Sequence, residues 1–176
     1  MITLTNITKT YQTPRGPVNA LDGINLRIEK GQFLAIHGPS GSGKTTLLLT
    51  IAAMLHPTTG KVSFEGHDLY AMSPRQRAKF RAQSIGFIFQ MFHLVPYLNV
   101  FENVALAAGP TQSKIDRERI NELLKNLALT DRMFHTSPQL SSGEKQRTAI
   151  ARALLNNPKL ILACLLYTSP SPRDRS

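Results

Sequence analysis

The fold is decided by one glycine-rich stretch, Gly38-Pro39-Ser40-Gly41-Ser42-Gly43-Lys44-Thr45-Thr46. Its first eight residues match the phosphate-binding loop (P-loop) pattern G-x-x-x-x-G-K-[ST]. Glycines let such a loop fold tightly, so that backbone N–H groups point at phosphate oxygens, and the following helix adds the positive end of its dipole. Lys44 would supply a cation to the β- and γ-phosphates, and the Thr45 hydroxyl would be a ligand for Mg²⁺. The whole stretch is therefore predicted to bind a nucleotide.

The segments around this loop predict an α/β fold. Residues 33–36 (FLAI) are apolar at every position, which is typical of a strand buried on both faces, and a helix is predicted over 44–54. Further buried strands are predicted over 85–90 and 159–163 (KLILA), and a helix over 141–155. Strands that alternate with helices around a phosphate loop indicate a mainly parallel central sheet.

The remaining elements follow from local patterns. Residues 2–7 and 24–28 alternate apolar and polar side chains, which predicts two half-buried strands joined through Pro14, Gly16 and Pro17. Asn99 precedes Glu102 by three positions, a capping signature for a helix over 100–108. Residues 113–129 are amphipathic and are predicted to form another helix.

Composition limits the function classes. The 176 residues carry 21 Lys and Arg against 11 Asp and Glu, a net charge of +10, with 41% hydrophobic residues and one cysteine. These values exclude collagen, a disordered polyelectrolyte and a disulfide-stapled module, and no apolar run reaches the ~20 residues of a membrane span. We expect a soluble, cytosolic chain.

The basic run 75–81 is interpreted as the solvated face of a helix capped by Ser73. A polyanion-binding patch, a contact with an acidic partner surface and a contact with lipid headgroups are the alternatives.

A second motif, Leu140-Ser141-Ser142-Gly143-Glu144-Lys145-Gln146-Arg147, begins the helix over 141–155. Taken alone, Ser141 with Glu144 is a capping box. Because it follows the P-loop by 102 residues, it resembles the signature motif of the ABC-type ATPases. Gln90 resembles their Q-loop glutamine, and Tyr11 their adenine-stacking aromatic residue. The segments 18–21 (VNAL), 85–90 (IGFIFQ) and 99–104 (NVFENV) resemble the subgroup that serves lipoprotein release and macrolide-type export.

The resemblance implies an architecture and a set of roles. It implies a P-loop NTPase with an N-terminal antiparallel β part and a helical signature subdomain at about 91–143, with ATP and Mg²⁺ as cofactors. Lys44 and Gln90 would be catalytic, and Thr45 and Gln90 would hold Mg²⁺. The γ-phosphate would be contacted in trans by four signature residues, Ser141, Ser142, Gly143 and Glu144. Ser142 stands where the family most often has glycine, which we interpret as a tuning of rate.

The resemblance also implies partners. It implies a head-to-tail dimer of ATP-binding subunits attached to a membrane permease, peripheral to the cytoplasmic face of the plasma (inner) membrane, with no nucleic acid. The apolar segment 91–97 (MFHLVPY) would meet the permease, although core packing is an open alternative for these residues.

The resemblance ends at Ala163. The family has an Asp that orders Mg²⁺ and a Glu that polarises water after the KLILA strand, whereas here no acid follows Ala163 until Asp174. We therefore expect residues 1–163 to be a truncated ATP-binding domain with an incomplete C-terminus. Residues 164–176 look like translated adapter sequence from DNA library preparation. For the intact protein the resemblance implies ATP hydrolysis that powers an ABC-type membrane transporter for export or lipoprotein release. For the chain as written we expect weak binding of ATP and Mg²⁺ at best, with negligible hydrolysis. The alternatives are a non-transport ABC ATPase, whose coiled-coil insertion would not fit the 102-residue gap, and a small-molecule kinase, which would lack the signature helix.

Overall fold

The computed structural model describes residues 1–109 and 116–164. The chain divides into two compact units, Met1–Arg81 and Ala82–Ser176. The strands of the described residues are β1 (Ile2–Thr13), β2 (Gly16–Ile28), β3 (Thr59–Phe64), β4 (His67–Asp68), β5 (Ile85–Ile88) and β6 (Leu160–Ala163). The α-helices are α1 (Lys44–Ile51), α2 (Pro74–Ser84), α3 (Val100–Ala105), α4 (Arg117–Asn126) and α5 (Ser142–Leu154).

The first unit contains an antiparallel sheet with the strand order β2-β1-β3-β4. Ile2 of β1 pairs with Ile28 on one side and with Phe64 on the other, and the side chains of Ile2, Leu4 and Ile7 are buried. The alternation slips by one position between Leu4 and Ile7, where the pairing with β2 is irregular. The two N-terminal strands predicted from alternation are confirmed, and both are longer than predicted.

The prediction of a buried strand over 33–36 is wrong. The segment has no regular structure, and the side chain of Phe33 is 92% exposed. None of the strand pairings within the described residues includes this segment, so its backbone forms no sheet hydrogen bonds, and of its four side chains only that of Ile36 is partly buried. A short apolar run predicts burial only when a partner strand is available on each side.

The second unit holds the parallel part of the fold. β5 and β6 pair in parallel, with Ile85 opposite Leu160 and Ile88 opposite Ala163. The N–H of Cys164 donates to the carbonyl of Ile88 at 2.9 Å, so the ladder continues one residue beyond β6. The predicted strands over 85–90 and 159–163 are confirmed, both in shortened form. Residues 165–176, most of the predicted adapter tail, lie outside the described residues.

Three helices of the second unit enclose one apolar core, formed by Val100 and Val104 of α3, Ile120 and Leu124 of α4, and Ala151 of α5. The helix predicted over 100–108 is α3 followed by a single 3-10 turn, Leu106–Ala108. The predicted helix over 113–129 is shorter, because Asp116 caps it by accepting the Arg119 N–H at 2.8 Å; residues 113–115 lie outside the described ranges.

Within residues 1–109 and 116–164, no helix is both long and apolar enough to cross a bilayer.

Candidate nucleotide-binding site

The P-loop is closed over its own lysine. The ammonium of Lys44 donates to the carbonyls of Gly38 at 2.8 Å and Pro39 at 2.6 Å, and lies 3.3 Å from the Ser42 hydroxyl. The Ser42 N–H also donates to Pro39 at 3.3 Å, which makes the loop a tight turn. The cation therefore lies inside the ring of backbone that the sequence predicts to surround phosphate.

Gly43 sets the position of the helix that follows the loop. It is the N-cap of α1 in the left-handed conformation, with φ 83° and ψ 2°. A Cβ atom at this position would lie 2.1 Å from the carbonyl oxygen of Ala20 in β2. Glycine is thus required twice at position 43, once for its backbone conformation and once for the close approach of α1 to the sheet.

The donor set of this loop fits a polyphosphate. The first turn of α1 contains no acidic residue, and its N–H groups have no partners inside the helix because they precede the first helical hydrogen bond. Ser40, Ser42 and Thr45 are exposed residues in the same stretch as Lys44, and each carries a hydroxyl group. In the described part of the chain no group of three His, Cys, Asp or Glu side chains is arranged to hold a metal ion.

Tyr11 lies on the exposed side of the antiparallel sheet. Its side chain is 41% exposed, and it sits in β1 opposite Val18 of β2. The Lys9 ammonium lies 5.3 Å from the centre of its ring. The ring is therefore accessible to a planar ligand, and a cation already contacts it.

Gln90 lies just beyond a strand of the second unit. It is exposed and falls in a turn two residues after β5 ends at Ile88. The sequence predicts Gln90 to be the last residue of the strand, so β5 is two residues shorter at this end than expected. The exposed residue directly precedes the segment 91–99.

The signature residues form the N-terminus of α5. Ser141 is the N-cap: its hydroxyl accepts the Glu144 N–H at 3.3 Å, and the Glu144 carboxylate accepts the Ser141 N–H at 2.8 Å. The guanidinium of Arg132 donates to the other carboxylate oxygen of Glu144 at 3.0 Å. The hydrogen bonds from the Ser141 backbone and side chain, followed by that from Arg132, lower the pKa of Glu144 to about 2.

This capping box decides which donors face outward. It uses the N–H groups of Ser141 and Glu144, whereas those of Ser142 and Gly143 lie in the first turn and have no partner inside the helix. Both residues are exposed. The negative charge of Glu144 is meanwhile directed back to Ser141 and Arg132. The helix start thus offers two N–H groups and a positive dipole end, which suits an anion.

Three residues that organise this second unit belong to none of the predicted sites. Arg132 supports the signature through Glu144. Asn103 is 1% exposed and binds the backbone of residues 95–99, and Arg152 binds the backbone of Phe92 and His93. A usable signal exists only for Arg152, a charged residue between the small buried residues Ala151 and Ala153.

Comparison with known proteins identifies the family. The sequence profile described as ABC transporter matches residues 21–163. The chain belongs to this family. The ABC transporter profile includes the P-loop and the signature, and it ends at the last residue of β6.

Relatives within the ABC transporter family are ATP-binding proteins of transport systems. The chain is 46% identical to lipoprotein-releasing system ATP-binding protein LolD 1 of Rhodopirellula baltica, covering 93% of this chain and 72% of that protein. It is 42% identical to the macrolide export ATP-binding/permease protein MacB of Syntrophobacter fumaroxidans, covering 93% of this chain and 23% of that protein. The chain is thus an ATP-binding domain of the ABC transporter type.

A solved structure shows the same fold. The dimeric structure of MJ0796, described as a bacterial ABC transporter cassette, is 42% identical and superposes with a TM-score of 0.84 over 93% of this chain and 73% of that chain. A second dimeric structure of MJ0796, in a post-hydrolysis state bound to ADP and Pi, gives the same TM-score at 41% identity. The predicted α/β fold of a P-loop ATPase is confirmed.

Proposed function

We propose that this chain binds ATP with Mg²⁺ in the P-loop and is the ATP-binding part of a transporter for lipoprotein release or macrolide-type export. The observation that carries the proposal is the geometry of Lys44, whose ammonium lies 2.8 and 2.6 Å from the carbonyls of Gly38 and Pro39 at the start of a helix without first-turn acids. A phosphate oxygen entering the loop would replace these carbonyls as the partner of the ammonium, and a charge-assisted hydrogen bond favours that exchange.

The P-loop and its flanks would share the work of holding the nucleotide. The stretch Gly38-Pro39-Ser40-Gly41-Ser42-Gly43 would surround the β-phosphate with N–H groups, and Lys44 would bind the β- and γ-oxygens. Thr45 and Gln90 would be ligands of Mg²⁺, and Thr46 would donate its N–H to the phosphates. When bound, Mg²⁺ neutralises phosphate charge. The exposed ring of Tyr11 would stack on adenine, with the Lys9 cation beside it.

The signature would act on a second molecule. The outward N–H groups of Ser142 and Gly143, with the Ser141 hydroxyl and Glu144 as their cap, would contact the γ-phosphate of an ATP held by the partner subunit. Such a contact requires a head-to-tail dimer. The name of the MacB relative, an ATP-binding/permease protein, supports attachment to a membrane permease, which would place the chain at the cytoplasmic face of the membrane.

The exposed apolar side chains of the segment 91–97 support a contact with that permease. Met91 is 73% exposed and Tyr97 is 80% exposed, whereas Phe92 packs against Ile88 and Ala149. The segment therefore combines an inward anchor with outward apolar residues.

We assign the helical subdomain to about 91–143, the ATP-binding domain to 1–163, and a non-native origin to 164–176.

Binding without hydrolysis is the function proposed for the chain itself. The residues after β6 are Cys164, Leu165 and Leu166, and no carboxylate follows until Asp174. Phosphoryl transfer to water depends on positioned charge and a positioned nucleophile, and the sequence supplies no acid for either task at this point.

The test is titration of the 176-residue chain with a fluorescent ATP analogue in the presence of Mg²⁺, alongside a phosphate-release assay. Lys44→Ala removes at least one charge-assisted hydrogen bond, worth ~1.5–3 kcal/mol, so the affinity should fall about ten-fold or more. Lys79→Ala, which removes an exposed lysine of α2, is the matched control and should bind like the wild type. Equal affinity of the Lys44→Ala variant and the wild type would disprove the site, and sustained phosphate release would disprove the absence of hydrolysis.

A further inference from the structure

The segment between β5 and α3 has an unusual backbone. Phe92 and His93 are consecutive non-glycine residues in the left-handed region, with φ 56° and 46°. Each such residue is disfavoured by ~1–2 kcal/mol relative to an ordinary conformation, so contacts elsewhere must hold the pair in place. The local backbone bonds, from Phe92 to Phe89 at 3.0 Å and from His93 to Met91 at 2.6 Å, join only neighbours within the segment.

One side chain of the signature helix holds both carbonyls of this pair. In α5, the guanidinium of Arg152 donates through Nη1 to the His93 carbonyl at 2.8 Å and through Nη2 to the Phe92 carbonyl. The planar fork of arginine suits two acceptors in one plane, which the point charge of lysine does not. The Phe92 ring packs in the cluster of Ile88, Ala149 and Ala153, so the same helix face holds the segment by its side chain as well.

A second residue holds the other half of the segment independently. The amide of Asn103 in α3 accepts the Val95 N–H at 2.8 Å and donates to the carbonyls of Val95 at 3.1 Å, Leu98 at 2.9 Å and Asn99 at 3.0 Å. Residues 95–99 are therefore tied to α3, whereas residues 92–93 are tied to α5. Any displacement of α5 acts on the segment at Phe92 and His93.

We propose that Arg152 is a positioning residue that fixes the distance between the signature end of α5 and the segment 91–94, so that movement of the signature helix is transmitted to the exposed apolar residues beside Gln90. The signature residues and Arg152 lie at opposite ends of one 13-residue helix, which acts as a rigid lever ~16 Å long between Ser141 and Arg152. The meaning of this link for transport rests on the proposed function. The contact of Arg152 with Phe92 and His93 lies wholly within the second unit and does not depend on a bound nucleotide.

Amide hydrogen exchange on the full chain tests the contact residue by residue. Arg152→Gln should lower the protection of the Phe92 and His93 amides about ten-fold or more and leave the Val95 amide, which Asn103 holds, within about two-fold of the wild type. Asn103→Ala should lower the protection of the Val95 amide about ten-fold or more and leave the Phe92 and His93 amides within about two-fold of the wild type. Lys145→Gln removes a charge from the same helix and should change none of the three amides. Unchanged Phe92 and His93 protection in Arg152→Gln would overturn the assignment.

A distance measurement tests whether Arg152 couples the position of the segment 91–94 to that of the signature end of α5, as opposed to stabilising the segment locally. In a Cys164→Ser background, spin labels at Met91→Cys and Ser142→Cys should give one narrow distance distribution, which should become at least two-fold broader in Arg152→Gln. A label pair within α5, at Ser142→Cys and Ile150→Cys, should stay narrow and shows that the helix is intact. If Arg152→Gln does not fold, Arg152→Lys is measured in its place, and intermediate broadening is expected. An unchanged 91–142 distribution in a folded variant overturns the proposal. Because no nucleotide is present, this outcome is independent of ATP binding.

Discussion

Replacement of Gly43 by alanine perturbs the P-loop at its most constrained point. The substitution requires an alanine at φ 83°, which costs ~1–2 kcal/mol. It also places a Cβ atom 2.1 Å from the Ala20 carbonyl oxygen, whereas Cβ contacts under 3.0 Å essentially never occur, so α1 and β2 must separate by about 1 Å. Together these effects should lower the free energy of unfolding by ~2–4 kcal/mol.

Two other glycines separate the conformational cost from the steric one. Gly41 has φ 81° and Gly31 has φ 79°, and a Cβ atom at either position would meet nothing within 4 Å. Gly41→Ala and Gly31→Ala should therefore show the conformational cost alone. A conformational cost of ~1 kcal/mol corresponds to a decrease of about 2–4 °C in the melting temperature.

The assay combines thermal unfolding with titration of a fluorescent ATP analogue. A shift of about 1 Å at the start of α1 misdirects the phosphate-facing N–H groups, so Gly43→Ala should weaken ATP binding by about ten-fold or more. Gly31→Ala lies outside the loop and should bind like the wild type. Gly43→Ala should be less stable than Gly41→Ala, and equal stability of the two variants would show that the contact with Ala20 carries no energy.

Three further substitutions test the other contacts. Asn103→Ala deletes four hydrogen bonds of a buried amide and should lower the free energy of unfolding by ~2–4 kcal/mol, measured by urea denaturation; a loss below ~0.5 kcal/mol would contradict its anchoring role. Because the pKa of Glu144 is lowered from 4.5 to about 2, its ionised form stabilises the fold above pH 4.5 and this contribution is lost as the pH falls towards 2. The stability difference between the wild type and Glu144→Gln should therefore close over this range, and a gap that stays constant argues against the capping box. Tyr70→Phe leaves the carbonyls of Thr50 and Leu55 without their phenolic donor and should lower the melting temperature by several degrees, whereas an unchanged temperature would show that these bonds contribute nothing.

The features that sequence predicts well are those fixed by neighbours within four residues. The capping boxes of Asn99 with Glu102 and of Ser141 with Glu144 are both present, because residues three apart at a helix start meet whatever the rest of the chain does. The tight P-loop turn and the left-handed Gly43 follow from glycine spacing in the same way. The starts of α3 and α5 were predictable for this reason, whereas the strand predicted over 33–36 was not formed.

The features that sequence does not predict depend on distant partners. The apolar run 33–36 has the composition of a buried strand, yet burial requires neighbouring strands that local pattern cannot supply. Arg152 reaches carbonyls 59 and 60 residues away, and backbone carbonyls are the same at every position, so no residue type marks them as its targets. The roles assigned to Tyr11 and Gln90 likewise stay predictions that ligand binding must test.

Arg152 and Asn103 both bind main-chain atoms of the segment 92–99 and touch none of its side chains by hydrogen bonding. The path of the segment is therefore set independently of the side chains that it displays. Met91 and Tyr97 can be exchanged for other residues while the scaffold beneath them keeps its shape. The outward side chains can therefore vary in size and polarity without loss of the main-chain hydrogen bonds that hold residues 92–99, which makes this short stretch a place where a new binding specificity can be engineered on an unchanged backbone.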